Sequence, residues 1–303
     1  MKVIADFKEK ANRVRKAIAR HGHNVEHNLY HYLAMGSLKR KLIFYSFPKL
    51  QGVLASREKD RYDIFPEGVL APKQKRIALL SRVIGKMLSQ KSANKVVVEV
   101  NEITRKGLLE WVKASKGYRA LSTNFILHWP IFDMALFDAK LPGRRWKKMR
   151  NIRNRFIRQH RIRMVDSRKV PKRMLEGIVS NWLRKRKHSD TVEKEYYYNI
   201  IASGFKGFRF AKTLYVDGEP CTITAGWDVP NGQKHYYSAI GILNYRHPGL
   251  GEFANLMDLL HLKKKGYRLV DFGGSDKSLL AFKSKFRPTS VYKTYSFSIV
   301  RRK

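Results

Sequence analysis

"NYRHPGLGEF", residues Asn244–Phe253, sets an arginine, two glycines and a glutamate just ahead of a long helical pattern. Arg246-x-x-Gly249-x-Gly251 has two readings. It is either a loop that cradles a phosphate or a turn that eases the chain into a helix. The cradle rests on simple chemistry. Glycine lets the backbone approach a ligand closely, and the first N–H groups of a helix have no internal partner. The helix dipole favours an anion there, and a guanidinium adds forked donors. The turn needs the same glycines for conformation alone. Spacing does not choose between them, so the flanking elements must.

Working outward, the strand "KHYYSAIG" precedes the loop and a helix over 249–266 follows it. That helix carries Phe253, Leu256, Met257, Leu260 and His261 on one side. Next come the strand "YRLVDFGG", the helix "DKSLLAFKSKF" and the long strand "TSVYKTYSFSIV". Upstream, "FRFAKTLYVDG" and "EPCTITAGWDV" predict a hairpin about Asp217-Gly218. The first half is similar. Residues 1–35 predict one or two basic helices, then short strands at 41–47, 51–56 and 60–66. A helix over 72–90 leads to the apolar strand "KVVVEV" (95–100), a helix over 102–115 and a strand over 122–129. Glu99 and Asp271 fall at matching strand ends of the two halves, each followed by a helix with a Leu-Leu pair. Alternating helices and strands of this kind predict mixed α/β layers.

The chain has 303 residues, with 63 Lys+Arg against 24 Asp+Glu and a net charge of +39. Such a field captures polyanions: RNA, DNA, an anionic membrane surface or a phosphorylated small molecule. No apolar run is long enough to span a bilayer. The N-terminal stretch lacks the apolar core of a secretory signal, and Asp6 and Glu9 interrupt any mitochondrial presequence. Cys221 is the only cysteine, which excludes an intrachain disulfide and a cysteine-based zinc site. It reads as a buried strand residue in a reducing, cytoplasmic compartment. His235, His247 and His261 show no metal-ligand spacing, and no metal is expected.

The loop between a strand and a helix resembles the coenzyme A pyrophosphate loop of the GNAT (N-acetyltransferase) fold. The element order over 208–300 resembles that fold too. The doubled arrangement is similar to the tandem-GNAT transferases, which include the Fem-type aminoacyltransferases and the catalytic (DUF2156-like) domain of phosphatidylglycerol lysyltransferases. "LLAFKSKFRP" (279–288) resembles the Leu-x-x-Phe/Tyr-Lys-x-Lys-Phe-x-Pro ending of the latter. Two departures are Thr289-Ser290 after the final proline and "VDFGGSD" at a strand end. The resemblance implies two GNAT-like lobes, each a mixed central sheet flanked by helices. These would be a degenerate lobe over 1–140 and a second over 141–303 that begins with a basic helix at 144–160. It also implies acyl or aminoacyl transfer, with aminoacyl-tRNA or acyl-CoA as co-substrate and no tightly bound cofactor.

Acyl transfer needs a base for the nucleophile, a polarised carbonyl and a stabilised leaving group. Asp271, at the strand end where a GNAT-like splay would fall, is the candidate base, against a plain helix-capping role. Ser275 and Asp276 read as caps of the next helix. Lys283 and Lys285 could neutralise developing charge and lie on different faces of their helix. Glu252, in a helical first turn, is either catalytic or a dipole-stabilised surface acid. Tyr237, like Tyr236 and Tyr245, either donates a proton to a leaving group or packs in the core or rim. Arg246, Gly249 and Gly251 are the candidate cofactor-binding residues.

"RRWKKMRNIRNRFIRQH" (144–160) predicts a helix with Met149, Ile152 and Phe156 along one stripe. Arg144, Lys148, Asn151, Arg155 and Arg158 form a second stripe, widened by Arg145, Lys147 and Arg150. No acid occurs from 141 to 165, so the i,i+4 pairs that usually settle a charged helix are absent. Phosphate-backbone binding accounts for that, and the resemblance makes tRNA the expected partner. Contact with an anionic membrane and solubility alone are the competing accounts. "RKRKH" (184–188) adds a second basic cluster. Three functions therefore stay open: aminoacyl-tRNA-dependent transfer to an amine or hydroxyl acceptor, acyl-CoA-dependent N-acylation, and non-catalytic nucleic-acid binding.

Overall fold

The computed structural model describes residues 1–5, 10–37, 39–186 and 194–302. Lys187 and His188 of the second basic cluster lie outside them. In chain order the first half contains β1 (Lys2–Ala5), α1 (Ala11–His21), α2 (Leu29–Met35), β2 (Lys41–Ser46), β3 (Gly52–Glu58) and β4 (Arg61–Leu70). It continues with α3 (Arg76–Leu88), β5 (Lys95–Asn101), α4 (Glu102–Ala114) and β6 (Tyr118–Asp133). The second half contains α5 (Lys147–Gln159), β7 (Ile162–Asp166), α6 (Lys172–Lys185), α7 (Lys194–Ala202), β8 (Phe210–Val216), β9 (Glu219–Pro220) and β10 (Thr222–Asp228). It ends with β11 (His235–Leu243), α8 (Leu250–Lys264), β12 (Leu269–Asp271), α9 (Lys277–Lys283) and β13 (Ser290–Arg301). The start of the chain differs from expectation. Residues 2–5 form an edge strand antiparallel to β2 rather than a helix. The neighbouring strand supplies hydrogen bonds that no helical periodicity could reveal.

All strands join one 13-stranded sheet, ordered β1-β2-β3-β4-β5-β13-β6-β12-β11-β10-β8-β7, with β9 paired to β8. Its neighbours are antiparallel except at two places. β4 and β5 are parallel over Arg61–Ile64 and Lys95–Val98. β11 and β12 are parallel over His235–Tyr237 and Leu269–Asp271. Beyond Ile64 and Tyr237 these parallel partners stop pairing, and β4 and β11 run on toward Leu70 and Leu243 paired only with β3 and β10 on their other sides. The splay expected between "KHYYSAIG" and "YRLVDFGG" is therefore present, and it occurs twice.

The last strand does not close the sheet beside β12. β13 lies between β5 and β6, while β6 pairs with β12 through Ile131↔Asp271. Each splayed pair is thus completed by a strand from the other half of the chain. The helices cover both faces. α3 and α4 pack on the first half of the sheet through Leu80, Val83, Ile84, Met87 and Leu108. α1 and α2 cover its other face through Val14, Ile18 and Tyr32. α6 and α7 bury Ile178, Val179, Trp182 and Ile200 on the second half, and α8 buries Leu256, Leu259 and Leu262 on the opposite face. No helix among the described residues is long and apolar enough to cross a membrane.

Candidate active site

Asp271 ends β12 at the splay and is fully buried. Its Oδ1 accepts the Gly273 N–H at 2.7 Å and its Oδ2 accepts the Tyr292 hydroxyl at 3.1 Å. Lys283, the last residue of α9, is buried against the same turn. Its ammonium donates to the carbonyls of Phe272 at 2.5 Å and Gly273 at 3.1 Å. Gly273 has φ +79°, a left-handed conformation that suits glycine. A Cβ there would stand 3.2 Å from the Tyr237 hydroxyl, so this tyrosine closes over the turn. Burial pushes the Asp271 carboxyl up to about 6, opposed by the Gly273 N–H, Tyr292 and Lys283. Burial pulls Lys283 down to about 8, opposed by Asp271.

The cluster extends across the strand exchange. Tyr237 donates to Glu26 Oε1 at 3.3 Å. Burial holds the Glu26 carboxyl up at about 8, reinforced by Glu99. Glu99 Oε1 accepts the Thr294 hydroxyl at 2.6 Å, and Thr294 Oγ1 accepts the Trp129 indole N–H at 2.9 Å. Trp129 stacks on Tyr292, with ring centroids 5.6 Å apart and planes at 13°. Burial raises the Glu99 carboxyl as well. Glu67, 3% exposed, accepts the Asn101 N–H and lies 3.8 Å from His23. Four carboxylates and one lysine therefore share the middle of the sheet. Glu26, Glu99 and Tyr292 are only half-buried, so solvent reaches this set.

Sequence reasoning named Asp271, Lys283 and Tyr237, and these converge. It named Glu252 and Lys285 also, but they pair with each other at 2.8 Å on a more exposed surface. The two lysines part as helical spacing predicts: Lys283 is buried and Lys285 exposed. Asp276 caps α9 by accepting the Leu279 N–H at 2.7 Å. Missed were Glu26, Glu67, Thr294, Trp129 and Tyr292. The register of Glu99 with Asp271 in the two halves was the one signal pointing across the repeat.

The Gly-rich loop opens α8 as expected. Gly249 has φ +82° in the N-cap position, and its Cβ would stand 3.2 Å from Ile152 of α5. Gly251 is buried in the first turn. Arg246 is ion-paired with Glu219, so part of its charge is already spent on a neighbour.

Arg144 and Arg145 form a single 3-10 turn that leads into α5. Met149 and Phe156 bury one face of the helix, and Phe156 stacks on Phe253 of α8 at 4.6 Å. The opposite face borders an open groove of about 1210 Å³ lined by Arg144, Arg145, Lys147, Lys148, Asn151, Arg155 and Arg158 with apolar and amide neighbours. Among the described residues none of these six cations has an acidic partner. Arg150 departs from that role. Its guanidinium donates to the carbonyls of Leu141 and of Gly143, bracing the segment that precedes the helix.

No protein-family model matches the sequence, and no curated protein matches it. Solved structures do match in fold. One is the DUF2156 C-terminal domain assigned to a lysylphosphatidylglycerol synthetase of Agrobacterium fabrum, at TM-score 0.67 and 15% identity, covering 96% of this chain and 91% of that one. FemX is similar at TM-score 0.57 and 13% identity, covering 98% and 97%. A tandem GNAT protein from the clavulanic acid biosynthesis pathway, solved without AcCoA, is similar at TM-score 0.56 and 10% identity, covering 99% and 98%. With its two splayed parallel pairs in one mixed sheet, the chain has the tandem GNAT fold.

Proposed function

We propose that this chain is an aminoacyltransferase that takes its amino acid from a charged tRNA and passes it to an amine or hydroxyl acceptor. One observation carries the reading. A cationic groove with no acidic partner among the described residues packs, through α5, onto the helix beside a splayed strand pair that ends in buried Asp271, with buried Lys283 against the following turn. The tRNA backbone would lie along Arg144, Lys147, Lys148, Arg155 and Arg158. Its 3′ end would enter beside Asp271.

The chemistry follows from the proton states. An Asp271 carboxylate takes the proton of the attacking amine or hydroxyl. The nucleophile bonds to the ester carbonyl carbon, and the carbonyl electron pair moves to oxygen as the tetrahedral intermediate forms. The intermediate collapses with loss of the tRNA 3′-oxygen. Two of the Lys283 ammonium hydrogens serve the turn carbonyls, which leaves the third to protonate that leaving oxygen. The similarity of the fold to the synthetase domain and to FemX supports the same class of reaction.

The test is transfer of a radiolabelled amino acid from a charged tRNA pool to amine, peptide and lipid acceptors. The variant with Arg144, Lys147, Lys148 and Arg155 changed to Glu should lose transfer, and unchanged transfer would sink the tRNA donor. The left-handed Gly249 at the start of α8 keeps an acyl-CoA reading in play. Acyl-CoA binding that is lost in Gly249→Trp would favour it. Nucleic-acid binding with no transfer from either donor would favour a binding protein.

A further inference from the structure

Three side chains away from the Asp271 cluster converge where the basic helix ends. His160 follows the last turn of α5, Asp217 lies in the turn between β8 and β9, and His247 lies in the loop before α8. One donor atom from each lies within 4.8 Å of the other two. His160 Nδ1 stands 2.7 Å from Asp217 Oδ2. The two imidazole rings are 4.7 Å apart, crossed at 73°.

The three are held from outside. The Arg161 N–H donates to Asp217 Oδ1 at 2.8 Å, which fixes the carboxylate and leaves Oδ2 toward the histidines. Phe156 packs against both rings, at 4.7 Å from His160 and 6.4 Å from His247. The neighbouring cation Arg246 is paired with Glu219, which limits its opposition to a further positive charge.

Two imidazoles and a carboxylate make an N2O donor set suited to Zn²⁺ and similar borderline ions. Around a tetrahedral ion with bonds of about 2.0–2.1 Å, such ligands stand roughly 3.3 Å apart. Small rotations of these partly exposed side chains reach that spacing. We propose that His160, Asp217 and His247 bind one divalent transition-metal ion, with Zn²⁺ the best fit. Its remaining position would be open to water or to a phosphate oxygen. The ion would fasten the C-terminal end of the basic helix to the hairpin turn and to the loop of Arg246 and Gly249. No local spacing shows the site in the sequence, because each ligand comes from a different element.

The test starts from protein stripped with a chelator and dialysed. Zn²⁺ is titrated by calorimetry and Co²⁺ by visible absorption. One equivalent should bind, and Co²⁺ should give the d–d bands of a nitrogen- and oxygen-ligated ion. His160→Gln and His247→Gln should each weaken binding about tenfold or more. At equal concentration Zn²⁺ should raise the Tm of the parent chain more than that of the variants. Circular dichroism establishes that each variant is folded, and Asp217→Asn, which keeps the turn's shape, is the second check. Absence of one-equivalent uptake overturns the site, as does uptake that all three variants retain.

Discussion

Tyr237 donates its hydroxyl to Glu26 at 3.3 Å, joining a strand of the second splay to a residue 211 positions earlier. Burial holds the Glu26 carboxyl up at about 8, against 4.5 for the ordinary group. At neutral pH the folded chain keeps a proton that the unfolded chain has released. Stability from this group is full below 4.5 and is lost as pH rises through about 8. Tm should therefore fall as pH rises across that window, and Glu26→Gln should flatten the fall. Scanning fluorimetry of both proteins reads this, and an equal slope in the two would assign the pH dependence elsewhere.

Transfer activity should follow Asp271 and Lys283 as a pair. The base must be a carboxylate and the acid an ammonium, so the rate should rise through about 6 and fall through about 8. Asp271→Asn should lower kcat by about 10²–10⁴-fold and abolish the lower limb. Lys283→Met should remove the upper limb. A pH profile that keeps both limbs in both variants would place the chemistry on other groups.

Thr294 serves two partners, as acceptor from buried Trp129 and donor to half-buried Glu99. Thr294→Val keeps the shape and leaves both unpaired. Each unsatisfied buried group costs about 1–3 kcal/mol, so the two together should cost roughly 2–6 kcal/mol. Urea unfolding should show a lower midpoint at unchanged slope. A midpoint shift within error would mean that water replaces the hydroxyl.

Binding of tRNA should weaken steeply with salt. Each lost phosphate contact lowers the slope of log K against log salt by about 0.7–0.9, so changing Arg144, Lys147, Lys148 and Arg155 to Ala should lower it by about 3. Arg150→Ala should instead leave the slope alone and cost stability, because its partners are the Leu141 and Gly143 carbonyls. Filter binding across a salt series separates the two outcomes.

The sequence by itself determined most of the elements and the excess of positive charge. Period and turn chemistry located β2 to β5, the hairpin at Asp217-Gly218 and helix α8 with its glycine N-cap, because those signals act over a few residues. The acid-free run from 141 to 165 excluded local ion pairs along α5, since no neighbour in sequence could neutralise its cations. Asp271 was named from its strand end and Lys283 from the resemblance carried by "LLAFKSKFRP", and the fold brings both to one turn.

The tertiary structure decided the rest. It exchanged β6 and β13 between the halves, and that brought Tyr292 and Thr294 beside Asp271 and Glu99. It paired Lys285 with Glu252 and Arg246 with Glu219, spending charges that had looked free. It also raised Glu26 from an unmarked loop acid to a half-buried member of the site. Strand order, burial and ion pairing depend on residues tens to hundreds of positions apart. Local spacing carries no record of them, and only the folded chain fixes which charges meet and which stay exposed.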